Sequence, residues 1–409
     1  MNFLTRIGSA LGLGLALLTT PTLAQELPKK TLRLAETQAT LLLQQTAQAT
    51  QVPVPAGKPP LVSPRTVDAA GHLVAVPTRD WTSGFFPGYL WLLYQATGQA
   101  RWRTAAEQAT ARLAGEETNG SSHDVGFKLY CSYGTGYRVA PNPAYREVLL
   151  TAARTLSTRF NPTVGAIRSW DHHQEQWQFP VIIDNMLNLE LLFAATRLSG
   201  DSSFYKIAVA HANTTLKNHF RPDYSSYHVV GYDPKTGQVE KKTTHQGYAD
   251  NSAWARGQAW ALYGFTMCYR ETHDPRYLAQ AEHVADFILH HPNLPKDLVP
   301  YWDFNDPAIP HAPRDASAGA VMASGLLELS TYSTQGTTYR RHASQLLDNL
   351  AKSYTAAPGT ACGFLLLHST GHKPANSEID VPLSYADYYF MEALLRRQCL
   401  AAGRPLSVR

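Results

Sequence analysis

Residues 254–274 read WARGQAWALYGFTMCYRETHD and run directly into 275–291, PRYLAQAEHVADFILHH, and this pair decides the fold. The first half is apolar on every side and rich in small and aromatic residues, the pattern of a buried helix. The second half has one apolar stripe with charged residues around it, the pattern of a helix that covers a core from outside. The unit recurs along the chain. Further buried-type helices begin in 81–98 (WTSGFFPGYLWLLYQATG), 123–137 (HDVGFKLYCSYGTGY), 182–201 (IIDNMLNLELLFAATRLSGD), 314–329 (RDASAGAVMASGLLEL) and 384–397 (SYADYYFMEALLRR). Several run through a turn such as TGQ or SGD into a one-sided partner, at 101–114, 202–220 and 338–354. Self-similarity at roughly 50–60 residues marks stacked helical hairpins whose apolar faces are covered by their neighbours. Six inner and six outer helices can close into an all-α ring. Polar and aromatic residues gather where the inner helices start, so the decorated ends form one mouth.

The hairpins continue through the 409 residues without a break in composition, so a single domain is expected over 25–409. A hydrophobic content of 44% is ordinary for a globular protein, and 17% charged residues is low, as suits a helical ring with a large interior. The net charge of +4 is compatible with an anionic ligand, and nothing points to nucleic acid. Residues 1–24 read as a cleaved secretory signal peptide: Arg6, an apolar run from Ile7 to Leu18, then Thr22, Leu23 and Ala24 before Gln25. The run is too short to span a membrane, so a periplasmic or secreted protein with no membrane attachment is expected. Among Cys131, Cys268, Cys362 and Cys399, only Cys362 and Cys399 are considered for a disulfide. Oligomeric state is not legible.

Residues 27–49 form an amphipathic helix, expected to be the outer partner of the last inner helix. The Pro- and Gly-rich stretch 52–80 reads as extended chain. Residues 226–247, SYHVVGYDPKTGQVEKKTTHQG, alternate with a period of two around Asp233, Pro234 and Gly237, which predicts a β-hairpin walling the mouth. Long connections around 161–179, 294–313 and 357–380 lie beside the same helix starts, and loops of that length tend to be functional.

The sequence has no HExxH, no Gly-rich loop after a strand and no GxSxG. The pairs His172-His173 and His290-His291 lack a metal ligand set, so no metal or cofactor is expected. Carboxylates and aromatics are left. Asp184 follows Val181, Ile182 and Ile183 and opens an apolar helix; Asp124 opens another. Asp is a favoured helix N-cap, which is the plainer reading of each; a catalytic acid is the other, and the residues alone leave this open. Trp81, Trp170, Trp254, Trp260 and Trp302, with Tyr130, Tyr133 and Tyr248, fall near helix starts or their loops. Indole faces pack on the C–H faces of sugars. His123, His228, Gln246, Arg256, Arg314 and Ser384 add polar groups, and Arg256 could hold a carboxylate in a two-pronged fork. Together they suggest a site for an acidic sugar.

WTSGFFPG, HDVGF, DNMLNLELLF, HQGYADNSAWARGQAWALYGF, RDASAGAVMASGLLEL and SEIDVPLSYADYYFMEALLR resemble, in order and over nearly all of 25–409, the motifs of the unsaturated glucuronyl hydrolases, glycoside hydrolase family 88. The resemblance implies an (α/α)6 barrel and a hydrolase that removes the 4,5-unsaturated glucuronic acid left by polysaccharide lyases at the non-reducing end of oligosaccharides. It also implies hydration of the vinyl ether between sugar carbons 4 and 5, followed by ring opening and loss of the aglycone. By position, Asp184 would protonate carbon 4 and assist the attacking water, with Asp124 positioning it and tuning its acidity. Trp81, Trp170, Trp254 and Trp260 match sugar-contacting tryptophans; His123, His228, Gln246 and Arg256 match polar contacts. An unsaturated rhamnogalacturonyl hydrolase shares barrel and chemistry and is the nearest alternative. A sugar epimerase would need histidines facing each other across the cavity. A non-catalytic binder of acidic oligosaccharides would keep the tryptophans without needing two neighbouring carboxylates. The parent polysaccharide is not legible, although basic residues between 363 and 384, such as Lys373, would favour sulfated sugars.

Overall fold

A run of helices joined by tight turns can only fold back on itself, and here the reversals are built from left-handed residues. The computed structural model describes residues 29–52 and 54–406. Among the described residues, α1 (Lys29–Gln51) is followed by an antiparallel hairpin, β1 (Leu61–Val67) and β2 (Leu73–Pro77). Next come α2 (Phe85–Thr97), α3 (Ala100–Ala111), α4 (Val125–Leu129) and α5 (Thr135–Val139), the last two continuous through a π-helical turn at Tyr130–Gly134. Then follow α6 (Pro143–Ser157), the short pair β3 (Phe160–Asn161) and β4 (Ala166–Ile167), β5 (Phe179–Ile182), α7 (Asn185–Ser199) and α8 (Ser202–Asn218). The chain continues with β6 (Val229–Tyr232), β7 (Val239–Thr243), α9 (Ala255–Thr272) and α10 (Pro275–His290). It closes with α11 (Ala316–Leu329), α12 (Gly336–Ser353) and α13 (Ser384–Ala401).

The inner ring is α2, α4–α5, α7, α9, α11 and α13. Every residue of α11 is buried, as its small and apolar sequence favours, and its one charged residue, Glu328, is paired with Arg270 and Arg396. The outer helices bury stripes: in α10 these are Tyr277, Gln280, Ala281, Val284, Ala285 and Ile288. Gly98 and Gly200 take left-handed C-cap positions after α2 and α7, with φ of +67° and +77°, and His273 does the same after α9 at +56°. Asp201 and Asp274 then cap the following outer helices. Small residues let the inner helices approach: a Cβ on Gly88 would collide with the Cys131 carbonyl and the Tyr388 ring. α13 packs against both α11 and α2, which closes the ring. α1 takes the sixth outer place. Its Ala35 carbonyl accepts from the Tyr89 hydroxyl of α2 at 3.0 Å, and its Glu36 accepts from Arg101 and Trp102 of α3. The architecture is an (α/α)6 barrel.

The expected hairpin is present as β6 and β7, paired from Val229–Thr243 to Tyr232–Val239. Strand β5 joins it to make a three-stranded sheet in the order β5-β6-β7. The hairpin β1–β2 replaces the extended chain expected over 52–80. Pro64 and Gly71 hide its alternation, while Asp68 Oδ1 takes the N–H groups of Ala70 and His72 to make the turn. Cys362 and Cys399 are both free thiols, and Cys362 Sγ lies 3.2 Å from the Gly71 carbonyl. The expected export segment, 1–24, lies outside the described residues.

Candidate active site

Asp184 and Asp124 occupy the N-cap positions of α7 and α4, yet neither side chain caps its helix. The contrast with other Asp caps is direct. Asp201, Asp274 and Asp315 each accept a backbone N–H two residues on, as a cap should. The capping explanation therefore fails at the two aspartates singled out at the mouth. Asp184 is 9% exposed, and its Oδ2 is buried without a hydrogen-bond partner. Burial pushes its pKa up from 3.8 to about 7. The Arg256 charge opposes the rise, and the Asp124 charge adds to it. Asp124 is held by Ser122 Oγ, which donates to its Oδ2 at 3.0 Å, and lies 3.3 Å from His123 Nε2.

His228 Nδ1 accepts two backbone N–H groups, from His245 at 3.1 Å and Gln246 at 3.0 Å. Burial, and then the neighbouring His245, hold its pKa well below the usual imidazole value. A neutral ring that accepts at Nδ1 carries its proton on Nε2. That Nε2 lies 3.7 Å from Asp184 Oδ2 and is itself unpartnered. His228, the residue that leads into strand β6, thus aims an N–H at a buried carboxyl. The indole N–H of Trp260, one turn into α9, is also buried without a partner, and it exerts a weaker pull toward the ionised form of Asp184. Buried polar groups in folded proteins are almost always satisfied, so this cluster is shaped to receive something polar.

A sequence profile of glycosyl hydrolase family 88 matches residues 66–271. An unsaturated glucuronyl hydrolase of Formosa agariphila is 54% identical over 340 residues, 82% of this chain and 85% of that one. The chain belongs to glycosyl hydrolase family 88. A solved unsaturated glucuronyl hydrolase specific for heparin superposes with a TM-score of 0.84 at 46% identity, covering 91% of this chain and 98% of that one. An Asp-to-Asn variant of UGL with dGlcA-Glc-Rha-Glc matches at a TM-score of 0.80 and 29% identity, over 89% and 96% of the two chains.

Within this family 88 chain the aromatic residues divide by burial. Trp81 is half-buried against Tyr385, Phe85 and Phe127, with ring centroids 4.8, 5.7 and 5.6 Å away. Trp170 stacks on the exposed His172 at 5.4 Å, and its indole N–H has no partner. Trp254 and Trp260, matched to sugar-contacting tryptophans by the resemblance, are 2% and 0% exposed. Trp254 backs the His228 ring at 4.5 Å, and Trp260 packs against Phe127 and Tyr389 beneath Asp184. Trp302 is buried, its N–H on Asp306. Tyr130 and Tyr133 lie deeper in their inner helix, Tyr133 against Tyr145 of α6. Tyr248 is 49% exposed on the loop beside Gln246.

The polar residues divide in the same way. Arg256 does not stand free as a fork. Its Nη1 donates to Asp315 Oδ2 at 2.8 Å and the Thr370 carbonyl at 2.7 Å, and its Nη2 to the Gly371 carbonyl at 2.7 Å. Its charge reaches Asp184, while its hydrogen bonds fasten a loop. Gln246 Nε2 donates to the same Gly371 carbonyl at 3.1 Å. His123 is buried, and Ser384 Oγ is buried and unpartnered at the start of α13. Arg314 pairs with Asp297 and donates to the Val299 carbonyl at 3.2 Å. Lys373 lies 3.4 Å from Asp306 and over Trp302, so it is committed to the wall of the mouth. Sequence reasoning missed Asp315 as the Arg256 partner, although Asp at a helix start beside an Arg-bearing inner helix was the available signal. It also missed Tyr385, whose buried hydroxyl is unpartnered beside Trp81.

Proposed function

We propose that this protein is a hydrolase that removes 4,5-unsaturated glucuronic acid from the non-reducing end of oligosaccharides produced by polysaccharide lyases. The observation that carries the mechanism is a buried carboxyl, Asp184, raised to about pKa 7 beside unpartnered N–H groups of His228 and Trp260. A group that must give a proton and then take one works best with a pKa near the working pH. Protonated Asp184 delivers its proton to carbon 4 of the vinyl ether, and positive charge develops at carbon 5. Water adds to carbon 5 and returns a proton to the Asp184 carboxylate. The hemiketal opens to a ketone at carbon 5, which leaves a hemiacetal at carbon 1 that expels the aglycone. Asp124 raises the Asp184 pKa through its charge and is itself held by Ser122 and His123. Half-buried Trp81 offers the sugar an aromatic face, and the unpartnered Trp170 N–H and Ser384 hydroxyl, with His123, His228, Gln246, Trp254, Arg256 and Trp260 around the same cluster, line the site that takes it.

Products of glycosaminoglycan lyases are the first substrates to test, because the relative at 46% identity is described as specific for heparin. Residues 1–24 have the features of an export signal, which supports a periplasmic or secreted enzyme. The family assignment favours the glucuronyl over the rhamnogalacturonyl reading. The deciding experiment follows the ultraviolet absorbance of the 4,5 double bond in an unsaturated heparin or chondroitin disaccharide. Loss of absorbance, with a matching saturated glucuronide left intact, is expected. Binding without turnover would leave only an oligosaccharide-binding protein.

A further inference from the structure

Closing a ring brings together the parts of a chain that lie farthest apart in sequence. At the mouth end of the α13–α2 seam three segments converge: strand β1, the turn at Asp80 leading to Trp81, and loop 369–381 leading to α13. Arg65 joins all three. Its Nε meets Glu378 Oε1 at 2.5 Å and its Nη2 meets Oε2 at 2.9 Å, while Nη1 reaches Asp80 Oδ2 at 2.8 Å. The side chains of Arg65, Glu378 and Asp80 are 23%, 9% and 18% exposed, so the two-pronged pair is largely shielded from salt. Thr66 Oγ1 donates to the Pro382 carbonyl across the same seam at 2.7 Å.

Both arms end on the site. Asp80 Oδ1 accepts the Thr82 N–H at 2.9 Å and the Thr82 hydroxyl at 2.7 Å, which fixes the turn carrying Trp81. On the other arm the Glu378 carbonyl accepts the Gly371 N–H at 2.7 Å. The Gly371 carbonyl is the one gripped by Arg256 and Gln246. Any side chain at Gly371 would strike the Glu378 carboxylate, so the loop is folded tightly over this pair. Asn376, Glu378 and Asp380 all take left-handed φ values, +51°, +54° and +57°. Asn and Asp tolerate that conformation, whereas Glu378 does not adopt it readily, and it is at Glu378 that Arg65 holds the loop.

We propose that Arg65, Glu378 and Asp80 form a latch across the ring seam, positioning residues that fix the spacing between Trp81 and the Gly371 corner and thereby set affinity for the sugar. The latch rests on the substrate reading above. None of its own hydrogen bonds reaches Asp184, His228 or Asp124, so its loss acts first on binding.

Glu378→Gln and Arg65→Gln, assayed with an unsaturated disaccharide well below their melting temperatures, should raise KM about tenfold. Their kcat should stay within about twofold and its pH dependence should not move, the signature of lost uniform binding. Arg65→Lys keeps the charge without the fork and should recover part of the loss. Without any sugar present, hydrogen exchange at the Gly371, His372 and Val381 amides should quicken in both Gln variants. An unchanged KM with only a lower melting temperature would overturn the latch, as would unchanged exchange or a fall in kcat matching the rise in KM. Should Arg65→Gln fail to fold, Glu378→Gln, close in size and still able to hydrogen-bond, decides the question. A wild-type enzyme that leaves every unsaturated disaccharide intact would defeat the substrate reading instead, and exchange would still judge the latch.

Discussion

Replacing Asp184 by Asn separates what the carboxyl does for the reaction from what it costs the fold. The folded protein holds the Asp184 proton up to about pH 7, whereas an ordinary carboxyl releases it near 3.8. Between those values the unfolded chain binds fewer protons than the folded one, so wild-type stability falls as pH rises through that window and is flat above it. At about 1.4 kcal/mol per pH unit the full penalty is at most about 4 kcal/mol. The amide of Asp184→Asn never carries the charge and escapes the penalty. The variant should therefore match wild type near pH 4 and exceed it by up to about 4 kcal/mol at about pH 8, read as a melting temperature several degrees higher. Turnover should fall about 100- to 10,000-fold, because the amide has no proton to give, while disaccharide binding persists. Paired melting curves at the two pH values, alongside the absorbance assay, make the test. A stability difference that is the same at both pH values would refute the burial argument, and near-normal turnover would remove Asp184 from the chemistry.

Wild-type kcat should decline as pH rises through about 7, as the proton donor ionises; a profile flat to about pH 9 would assign the donor role elsewhere. Trp260→Ala should lose about 3–5 kcal/mol of stability, as a buried aromatic does, whereas the half-buried Trp81→Ala should chiefly raise KM; melting and kinetics run side by side decide between them. In deuterated water enriched in heavy oxygen, early product should carry deuterium at carbon 4 and the heavy oxygen at carbon 5. Label at the anomeric carbon would point to ordinary glycoside hydrolysis.

The ring was legible because helix burial is written in composition. α11 and α9 are rich in small and apolar residues around most of their circumference, while α10 and α12 show stripes, and stacked hairpins with the first kind inside bury both. The β1–β2 hairpin was not legible, since Pro64 interrupts the alternation and its turn depends on one Asp side chain. At the site, residue type identified Asp184 and Asp124, but capping and catalysis demand the same residue at the same place. Only the missing cap bonds distinguish them. Arg256 shows the opposite failure. Its type suggested a ligand fork, and its three hydrogen bonds within the protein are long-range facts, to residues 315, 370 and 371, that local pattern cannot supply.

The fold also creates the problem that Asp184 solves. Inner helices that all start at one mouth point their unpaired N–H groups and dipole positive ends into it, which suits a carboxylate sugar and equally favours ionised aspartates. An ionised aspartate cannot donate a proton. Asp315 and Asp184 show the two outcomes at matching positions. Asp315 caps α11 through Ser317 and Ala318 and pairs with Arg256, so its charge is matched on every side. Asp184 makes no cap bond, follows the buried Val181, Ile182 and Ile183, and stands over Trp260. Desolvation there outweighs the Arg256 charge and the backbone hydrogen bond at Asp184, and the pKa moves up. One residue type at one kind of position thus serves as anchor or acid according to whether its surroundings supply partners or withhold them.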